Sequence, residues 1–472
     1  MRRTKVICTI GPASASPEVL DGLVRAGMDV ARLNFSHGSH DEHAEVIGRI
    51  REGEPRWGKP VAILQDLQGH KVRLGPFAGG SAVVETGQLF TLTAEPILGT
   101  ASRAAITQPD VLSAVKPGAR VWLDDGMVQL RVETVEGTEV RCRVIAGGPL
   151  SDHKGVSFPG IPVPASCLTE KDREDLKFGI QHGVDFVAVS FVRSAADIQE
   201  VRTLLHEHGA DLPVVAKLER AEALTHVREI LRVVDAVIVA RGDLGVEVPL
   251  EEIPIIQKKV IHQAREARVP VIVATQMLES MVIHLRPTRA EVSDVATAIF
   301  DGAGAVMLSG ETATGRHPVE AVAIMTRIAE RAEQSTRGTH VERVRQEGDG
   351  FPEAIADAAC HAARMLKATA IVAFTQSGFT ARLISQERPE APVIALTPDV
   401  TVRRRLALYW GVSSRLIRKV ETTDEMIEEI EATLLGDGTV GPGDVLVIIS
   451  GAPMWVTGTT NLLKLHRVRE RR

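Results

Sequence analysis

The segment PVVAKLERAEALTHVREILRVVDAVIVARGD, Pro213 to Asp243, indicates the fold of the chain. It contains two short, β-branched apolar runs that each end in polar residues, with a longer stretch of helical period between them. Parallel strands that are buried on both faces give continuous apolar runs of this kind. The segment therefore predicts a strand, a helix and the next parallel strand, which is the repeating unit of an α/β fold.

The same pattern recurs along the chain. We count eight such runs, which are Lys5 to Ile10, Val30 to Phe35, Val61 to Leu67, Phe186 to Phe191, Pro213 to Glu219, Ala236 to Asp243, Val271 to Met277 and Ala305 to Glu311. Helical segments such as Glu251 to Ala267 and His317 to Glu330 lie between them. Eight strands that alternate with helices are what a (β/α)8 TIM barrel requires.

Two regions depart from this repeat. Between the third and fourth strands the chain is glycine-rich with alternating strand patterns, which predicts an inserted small β domain. The insertion leaves the carboxyl end of a strand, so it would lie over the catalytic face and act as a lid, although an insertion without motion would show the same pattern. After a charged linker, Glu333 to Gly350, alternating strands and helices predict a second α/β domain. The predicted boundaries are 1–74 and 158–335 for the barrel, 75–157 for the insertion and 351–472 for the last domain.

Composition excludes several classes of protein. With 472 residues, 44% hydrophobic and 25% charged residues, and a net charge of -6, the chain is typical of soluble globular proteins and gives no reason to expect nucleic acid as a partner. No run approaches the about 18 apolar residues that span a bilayer. The four cysteines form no CxxC pair, which favours a reducing cytoplasm over a disulfide framework or a zinc site.

Charged residues at the carboxyl ends of neighbouring strands suggest the chemistry. Lys217 and Glu219 are two apart on one predicted strand and so point to the same side, and Arg241 and Asp243 repeat that spacing on the next. Two carboxylates from adjacent strands could hold a hard cation such as Mg²⁺ and leave positions open for substrate oxygens. A pair of structural salt bridges at the barrel rim is the alternative.

The same rim carries further positive charge and flexible backbone. The glycines of ARGDLG let backbone N–H groups approach an anion. Cationic side chains add to them at Arg32, Lys71, Arg73, Lys154 and Lys217. Phosphoryl transfer mainly needs such positioning and charge neutralisation, so the residues alone indicate a Mg²⁺-dependent enzyme that acts on a small phosphorylated anion.

Ordered blocks along the whole barrel make the resemblance to a known family specific. The chain resembles pyruvate kinases in TKVICTIGPAS, GMDVARLNFSHG, DLQGHKVRLG, LDDG, KGVSFPG, VAKLER, VARGDLGVEVP, ATQMLESM, RPTRAEVSDVA and MLSGETATGRHPVEAV. The resemblance implies a TIM barrel with an inserted small β-barrel lid domain and a C-terminal α/β effector domain. It also implies phosphate transfer from phosphoenolpyruvate to ADP, giving pyruvate and ATP as the last step of glycolysis.

The resemblance assigns roles to the residues of the barrel. It implies that Glu219 and Asp243 hold Mg²⁺ or Mn²⁺, and that Lys217 stabilises the phosphoryl group in flight. Substrate contacts are implied for Arg32, for the backbone N–H groups of Gly242 and Asp243, and for Thr275. A proton route through Thr275 with waters near Ser309 and Glu311 is also implied. The positions that match nucleotide contacts are Asn34, Phe35, Ser36, His37, Arg73 and Lys154.

One departure concerns monovalent cations. Many members of the family bind K⁺ at positions matching Asn34, Ser36, Asp66 and the carbonyl of Leu67, and these members usually carry Glu where this chain has Lys71. We interpret the ammonium of Lys71 as an internal replacement for K⁺, so that K⁺ is not required, and the alternative is a solvated surface lysine. His70 stands where the family usually has proline, which leaves the position of this loop open.

The last domain suggests regulation. TQSGFTARL, Thr375 to Leu383, resembles the family's effector loop, with a phosphorylated effector bound by Thr375, Ser377, Gly378 and Thr380 and with GTTNLL near the end as the opposite wall. A plain N-cap and turn would give the same signal. The family also implies a homotetramer.

Two other functions stay open at this point. Another Mg²⁺-dependent barrel enzyme acting on pyruvate enolates would not need the nucleotide residues or the lid. A non-catalytic metabolite-binding relative would be expected to have lost Lys217 or a metal carboxylate.

Overall fold

The computed structural model of the protein describes residues 2–161, 166–335, 350–453 and 458–469. The chain forms two compact units. The first comprises Met1–Gln65, Gly179–Val187 and Ile261–Arg472, and the second comprises Asp66–Phe178 and Ala188–Val260. None of the helices in the described ranges combines the length and the apolar character that a membrane span needs.

The chain begins with the predicted alternation of strands and helices. Its first elements are β1 (Lys5–Ile10), α1 (Pro17–Ala26), β2 (Val30–Asn34), α2 (His40–Trp57) and β3 (Ala62–Asp66). The strands are buried almost throughout, as expected for parallel strands covered on both faces. Local signals fix the helix starts, since Ser16 caps α1 and Ser39 forms a capping box with Glu42 at α2.

The inserted segment folds into the predicted β structure. It contains β4 (Ser81–Val84), β5 (Leu89–Thr93), β6 (Arg103–Ala105), a 3-10 turn (Pro109–Ala114), β7 (Arg120–Leu123), β8 (Val128–Glu136), β9 (Glu139–Ala146), β10 (Gly148–Ser151) and β11 (Val156–Ser157). A six-stranded sheet has the order β11-β7-β8-β9-β5-β6, and β10 pairs with β4. The insertion has an apolar cluster of its own, which includes Phe90, Leu92 and Leu130.

The rest of the barrel follows the insertion. Its elements are α3 (Glu170–Gln181), β12 (Phe186–Val189), α4 (Ala195–Glu207), β13 (Val214–Leu218), α5 (Ala221–Thr225), α6 (Val227–Leu231), β14 (Ala236–Ala240), α7 (Arg241–Glu247), a 3-10 turn (Leu250–Glu252), α8 (Ile253–Glu266), β15 (Val271–Ala274), a 3-10 turn (Glu279–Val282), α9 (Arg289–Asp301), β16 (Ala305–Leu308), α10 (Gly310–Ala313) and α11 (Pro318–Ser335). In the described ranges, β1-β16-β15-β14-β13-β12-β3-β2 close a barrel, which confirms the eight predicted strands.

Helix ends differ modestly from the predicted ones. The helix predicted from Glu251 starts at Ile253, and the helix predicted to end at Glu330 continues to Ser335. The second of these helices, α11, therefore includes the first residues of the predicted linker. Residues 336–349 of that linker lie outside the described ranges.

The last part of the chain is the predicted α/β domain. It contains α12 (Phe351–Leu366), β17 (Ala370–Phe374), α13 (Phe379–Gln386), β18 (Val393–Thr397), α14 (Val400–Arg405), a 3-10 turn (Leu406–Leu408), β19 (Val412–Leu416), α15 (Thr423–Gly436), β20 (Val445–Gly451) and β21 (Thr460–Arg467). Its sheet has the order β19-β18-β17-β20-β21, and the β20–β21 pair is antiparallel. The sequence did not predict β19 and β21.

Candidate active site

A lysine and two buried carboxylates meet in the second compact unit. Lys217 lies near the end of β13 and Glu219 follows that strand, so strand alternation turns both side chains to the same side. The Nζ of Lys217 is 2.9 Å from Oε1 of Glu219 and 3.2 Å from Oδ1 of Asp66, and it donates to Oγ of Ser190 at 2.8 Å. Only 1% of each carboxylate side chain is exposed. The ammonium of Lys217 is therefore the positive centre of a buried polar cluster.

Glu219 has one oxygen suited to a metal ion. Its Oε2 accepts the backbone N–H of Phe191 at 2.8 Å, whereas its buried Oε1 faces the ammonium of Lys217 at 2.9 Å. Burial raises the pKa of the Glu219 carboxyl, and the charge of Lys217 opposes that rise. A carboxylate oxygen is the kind of ligand that a hard divalent cation takes, and Oε1 has a lone pair beyond the one that faces Lys217. Glu219 therefore fits the predicted metal site.

Lys71 contacts the second predicted metal carboxylate. Its Nζ lies 2.9 Å from Oδ1 of Asp243, and about a third of each side chain is exposed. Burial would raise the pKa of the Asp243 carboxyl, but the charges of Lys71 and Lys217 outweigh it and hold the pKa below its usual value. The interpretation of Lys71 as a solvated surface lysine is thus wrong in this structure.

The prediction that Arg241 and Asp243 share a strand is also wrong. Strand β14 ends at Ala240, and both residues lie in the first turn of α7. Residues two apart on a helix point in different directions, so the argument from strand alternation does not apply to them. Arg241 donates a hydrogen bond to Gln257 at 3.3 Å, whereas Asp243 accepts one from the ammonium of Lys71. Gly242 lies between them, where backbone N–H groups point beyond the helix start.

Two predicted cation ligands already have partners in this unit. The carbonyl of Leu67 accepts the Oγ–H of Ser190 at 2.7 Å, and Asp66 lies beside Lys217.

The predicted nucleotide residues Arg73 and Lys154 lie where the chain enters and leaves the insertion. Arg73 donates to the carbonyl of His153 at 2.9 Å, and Lys154 pairs with Asp124 at 2.9 Å.

A cleft in the second unit joins these groups to the insertion. It is open to solvent, and the space within it, including that open solvent, is about 410 Å³. Lys71, Glu219 and Asp243 line one part of it, and Trp122 and Glu247 line another. Burial raises the pKa of Glu247, whereas Arg220 and a hydrogen bond from Ser157 lower it. The cleft thus combines charged groups with an aromatic wall.

The first compact unit contains Arg32, which is the predicted phosphate ligand. Arg32 lies on β2 with 8% of its surface exposed. Its Nη1 donates to Oγ1 of Thr9 at 2.8 Å, and that hydroxyl donates to the carbonyl of Leu308 at 2.9 Å. The guanidinium is therefore oriented by a neighbouring strand.

Thr275 lies at a strained turn in the same unit. Its φ of 69° and the φ of 53° at Gln276 are both positive, which is rare for residues other than glycine and a marked outlier for β-branched threonine. Glu311 is fully buried and accepts the N–H groups of Leu278 and Ser309 at 2.9 and 2.7 Å. Glu311 thereby joins the segments that follow β15 and β16.

The segment from Asn34 to His37 makes a compact turn after β2. Oδ1 of Asn34 accepts the N–H of Ser36 at 3.2 Å, and the ring of Phe35 stacks on that of His43 at 4.1 Å. Phe35 is 1% exposed. Its ring therefore packs inside the protein, and the polar atoms around it are the ones that could contact a ligand.

The predicted effector residues gather at the start of α13. Thr375 accepts the N–H of Gly378 at 2.9 Å, and the hydroxyls of Thr380 and Thr460 lie 2.7 Å apart. Thr375 and Thr380 are each 5% exposed, whereas Ser377 is exposed. The contact with Thr460 brings the predicted opposite wall, GTTNLL, against this loop.

Sequence reasoning did not assign a role to several residues of the second unit. Ser190 joins Lys217 to Leu67, and the Phe191 N–H holds Glu219. Asp172 binds the N–H of Gly69 from another segment. Ser190 could have been found, because it stands at the polar end of the apolar run Phe186 to Phe191. The Phe191 N–H and the Asp172 carboxylate have no such signal in the sequence.

A lysine held between buried carboxylates at the carboxyl end of a barrel strand defines a barrel enzyme that handles a charged substrate. The family model for the pyruvate kinase barrel domain matches residues 1–322, and the model for the pyruvate kinase α/β domain matches residues 353–466. The chain belongs to the pyruvate kinase family, and it is a phosphotransferase of glycolysis. Its substrates are phosphoenolpyruvate and ADP.

Individual relatives are similar over almost the full length. A pyruvate kinase of Corynebacterium efficiens is 47% identical over 99% of this chain and 98% of its own length. One of Mycobacterium tuberculosis is 45% identical over 99% of both chains. A crystal structure of a pyruvate kinase from Cryptosporidium parvum superposes with a TM-score of 0.90 at 34% identity, covering 99% of this chain and 96% of the other.

Proposed function

We propose that this enzyme transfers the phosphoryl group with Lys217 as the stabilising cation, Glu219 and Asp243 as the metal ligands, and Lys71 in place of a bound K⁺. The contact between Lys71 and Asp243, at 2.9 Å, is the observation that carries the proposal. It puts a covalently attached positive charge next to a carboxylate that the reaction uses.

Glu219 and Asp243 would hold Mg²⁺, or Mn²⁺ in its place. The Oε1 atom of Glu219 supports this assignment because it is a buried carboxylate oxygen that already faces a cation, the ammonium of Lys217, at 2.9 Å. The described residues contain no cluster of three or more His, Cys, Asp or Glu side chains able to hold a metal. A cation bound by two carboxylates would therefore take its other ligands from substrate and water, and would supply positive charge to substrate oxygens.

The substrate contacts follow the family resemblance. Lys217 would face the phosphoryl group in flight, and Arg32 would bind substrate phosphate. The N–H groups of Gly242 and Asp243 would bind the carboxylate, and Thr275 would lie near the carbon that is protonated. The strained backbone of Thr275 supports its role, because such strain is common at sites where a side chain must be aimed.

Other groups would act around this centre. Ser309 and Glu311 would support the proton route, and the two N–H groups that Glu311 accepts indicate that it works by holding backbone in place. Nucleotide contacts are proposed for Asn34, Phe35, Ser36, His37, Arg73 and Lys154. The insertion would exclude water, which competes with ADP for the phosphoryl group.

The proposed independence of K⁺ has further support in the contacts of the K⁺-site residues. Of the positions that bind K⁺ in many relatives, Asp66 is beside Lys217 and the Leu67 carbonyl accepts Ser190. Asn34 accepts the N–H of Ser36. With these groups engaged by protein atoms, the charge of Lys71 would replace that of the ion.

Pyruvate formation from phosphoenolpyruvate and ADP with Mg²⁺ tests the proposal, measured in strictly K⁺-free buffer and again with KCl. Full activity without K⁺ supports the role of Lys71. Activity that appears only with K⁺ supports the assignment as a pyruvate kinase but contradicts the role of Lys71 as the internal cation. No activity in either buffer would favour an enolate-handling lyase, which exchanges pyruvate protons without ADP, or a non-catalytic relative.

The remaining assignments are proposals of the same kind. We propose domain boundaries at residues 74, 157, 335 and 351. The last domain would bind a phosphorylated effector through Thr375, Ser377, Gly378 and Thr380. Fluorescence titration with sugar phosphates and Ser377→Ala would test that loop. A cytoplasmic homotetramer is proposed from the family, and sedimentation of the purified enzyme and cell fractionation would test it.

A further inference from the structure

Asp172, at the start of α3, is a buried carboxylate that binds two separate segments. Its surface is fully buried. Its Oδ1 accepts the N–H of Gly69 at 3.1 Å, and its Oδ2 accepts the N–H and the hydroxyl of Thr169 at 2.9 and 2.6 Å. Gly69 is two residues before Lys71, whereas Thr169 is adjacent to α3. One carboxylate therefore ties the loop of Lys71 to the start of a helix.

Hydrogen bonds, rather than an ion pair, compensate the burial of the Asp172 carboxylate. In the described part of the chain, Asp172 forms no ion pair, and its partners are N–H and O–H groups. Burying a charge without a countercharge is costly unless several hydrogen bonds compensate it. An ionised carboxylate can accept N–H groups with both of its oxygens, which the Asn side chain cannot do. The contacts of Asp172 need this property.

The loop between Leu67 and Lys71 depends on Gly69 in a specific conformation. Gly69 has a φ of +66°, and a Cβ atom at this position would lie 2.9 Å from Cβ of Ser190. The N–H of Lys71 donates to the carbonyl of Gly69 at 3.0 Å, which closes a γ-turn around His70. The turn restrains the backbone at His70, where the family usually has proline.

These contacts form a continuous path to the reacting groups. The Ser190 hydroxyl holds the Leu67 carbonyl at one end of the loop, and Asp243 holds the ammonium of Lys71 at the other. Between them, Asp172 fixes the N–H of Gly69. The turn at His70 then determines where the Lys71 backbone lies, and hence whether its side chain reaches Asp243.

We propose that Asp172 is a positioning residue for Lys71: by binding the Gly69 N–H it holds the turn that places the Lys71 ammonium beside Asp243. The inference rests on the proposed role of Lys71 as the internal cation. It adds a residue outside the reacting centre that determines whether the enzyme works without K⁺.

The test compares matched alanine variants of the full-length protein. Asp172→Ala removes both acceptors of the carboxylate. Asp197→Ala is the control, because Asp197 is also buried near a helix start, but it accepts the N–H groups of Arg193 and Ser194 within its own segment. Both changes remove a helix-capping carboxylate, and only the first releases Gly69.

Hydrogen exchange without substrates gives a readout that does not depend on activity. In Asp172→Ala we expect the peptide covering residues 67–73 to exchange at least tenfold faster than in wild type or Asp197→Ala, because an N–H that loses its acceptor loses protection. Equal exchange of this peptide in the two variants overturns the inference. If Asp172→Ala does not fold, Asp172→Asn replaces it. We then expect the exchange rate of this peptide to lie between that of wild type and that of an unprotected peptide, because the single carbonyl oxygen of Asn must accept two N–H groups.

Activity then separates this inference from the role of Lys71. In K⁺-free buffer we expect kcat/KM to fall about 10- to 100-fold in Asp172→Ala, since small displacements of a charged group have effects of this size. Added KCl is expected to restore part of it, and Asp197→Ala to stay within about threefold of wild type. Lys71→Gln is measured in parallel. If Lys71→Gln loses K⁺-free activity and Asp172→Ala keeps it, only the positioning role is overturned; if Lys71→Gln keeps it, the internal-cation role falls and this inference with it.

Discussion

At the scale of single residues, the site balances buried negative charge with two lysines. Asp66 and Glu219 are almost fully buried around Lys217, and Asp243 is bound by Lys71. The lowered pKa of Asp243 keeps it ionised at neutral pH, so it can accept a cation. Positive charge is thus in place before any substrate arrives, which is the preorganisation that phosphoryl transfer requires.

Replacing Lys217 tests this balance most directly. Lys217→Met removes the charge that would stabilise the phosphoryl group, so we expect kcat to fall by on the order of 10³ while phosphoenolpyruvate binding stays within about threefold. Stopped-flow turnover and calorimetric titration measure the two quantities separately. Lys177→Met is the control, because Lys177 is an exposed lysine on α3. Normal turnover in Lys217→Met would contradict the assignment.

The sequence predicted some of these contacts and could not predict others. Strand alternation correctly placed Lys217 and Glu219 on one side, because both depend only on β13. The same rule failed for Asp243, since the strand ends at Ala240 and a helix begins. The contact between Lys71 and Asp243 joins residues 172 positions apart, and no local periodicity encodes such a pairing.

At the scale of elements, the insertion is a folded body with its own core. Phe90 on β5 is fully buried in the insertion's apolar cluster, whereas the preceding Leu89 is 42% exposed. This alternation is why the sequence could predict the β structure of the insertion. Its sheet order could not be predicted, because several strands of similar pattern can pair in more than one order. The eight barrel strands were easier to predict, since each one is a separate apolar run.

The core of the insertion can be weakened without changing the reacting groups. Phe90→Ala should destabilise the insertion by about 3–5 kcal/mol, because it removes a large side chain from a packed cluster. We expect activity to be lost on heating well below the main circular dichroism transition of the protein. Leu89→Ala is the matched control on the same strand and should leave both temperatures nearly unchanged. Coincident loss of activity and ellipticity in Phe90→Ala would show that the insertion does not unfold separately.

At the scale of the whole molecule, side chains of the last domain bind elements of the barrel within the first compact unit. Glu54 on α2 accepts the N–H of Val61 at 3.1 Å and is bound by the guanidinium of Arg404 from α14 at 2.7 Å. Lys5 on β1 donates to the carbonyl of Val412 at 2.7 Å. Glu54 is only 8% exposed, and two arginines compensate its charge: Arg404 at 2.7 Å and, more distantly, Arg51 at 3.6 Å.

This compensation predicts an asymmetric effect of two arginine substitutions. Arg404→Ala removes the short hydrogen bonds to a buried carboxylate and leaves it only the longer contact with Arg51, so we expect the free energy of unfolding to fall by about 2 kcal/mol. Arg418→Ala removes an arginine whose side chain is 68% exposed and paired with Glu429 at 2.7 Å, and it should leave the free energy of unfolding nearly unchanged because solvent screens this pair. Urea denaturation followed by circular dichroism measures both. Equal effects would mean that Arg51 and solvent compensate Glu54 without Arg404, and that the contact between α2 and α14 contributes little to the stability of the molecule.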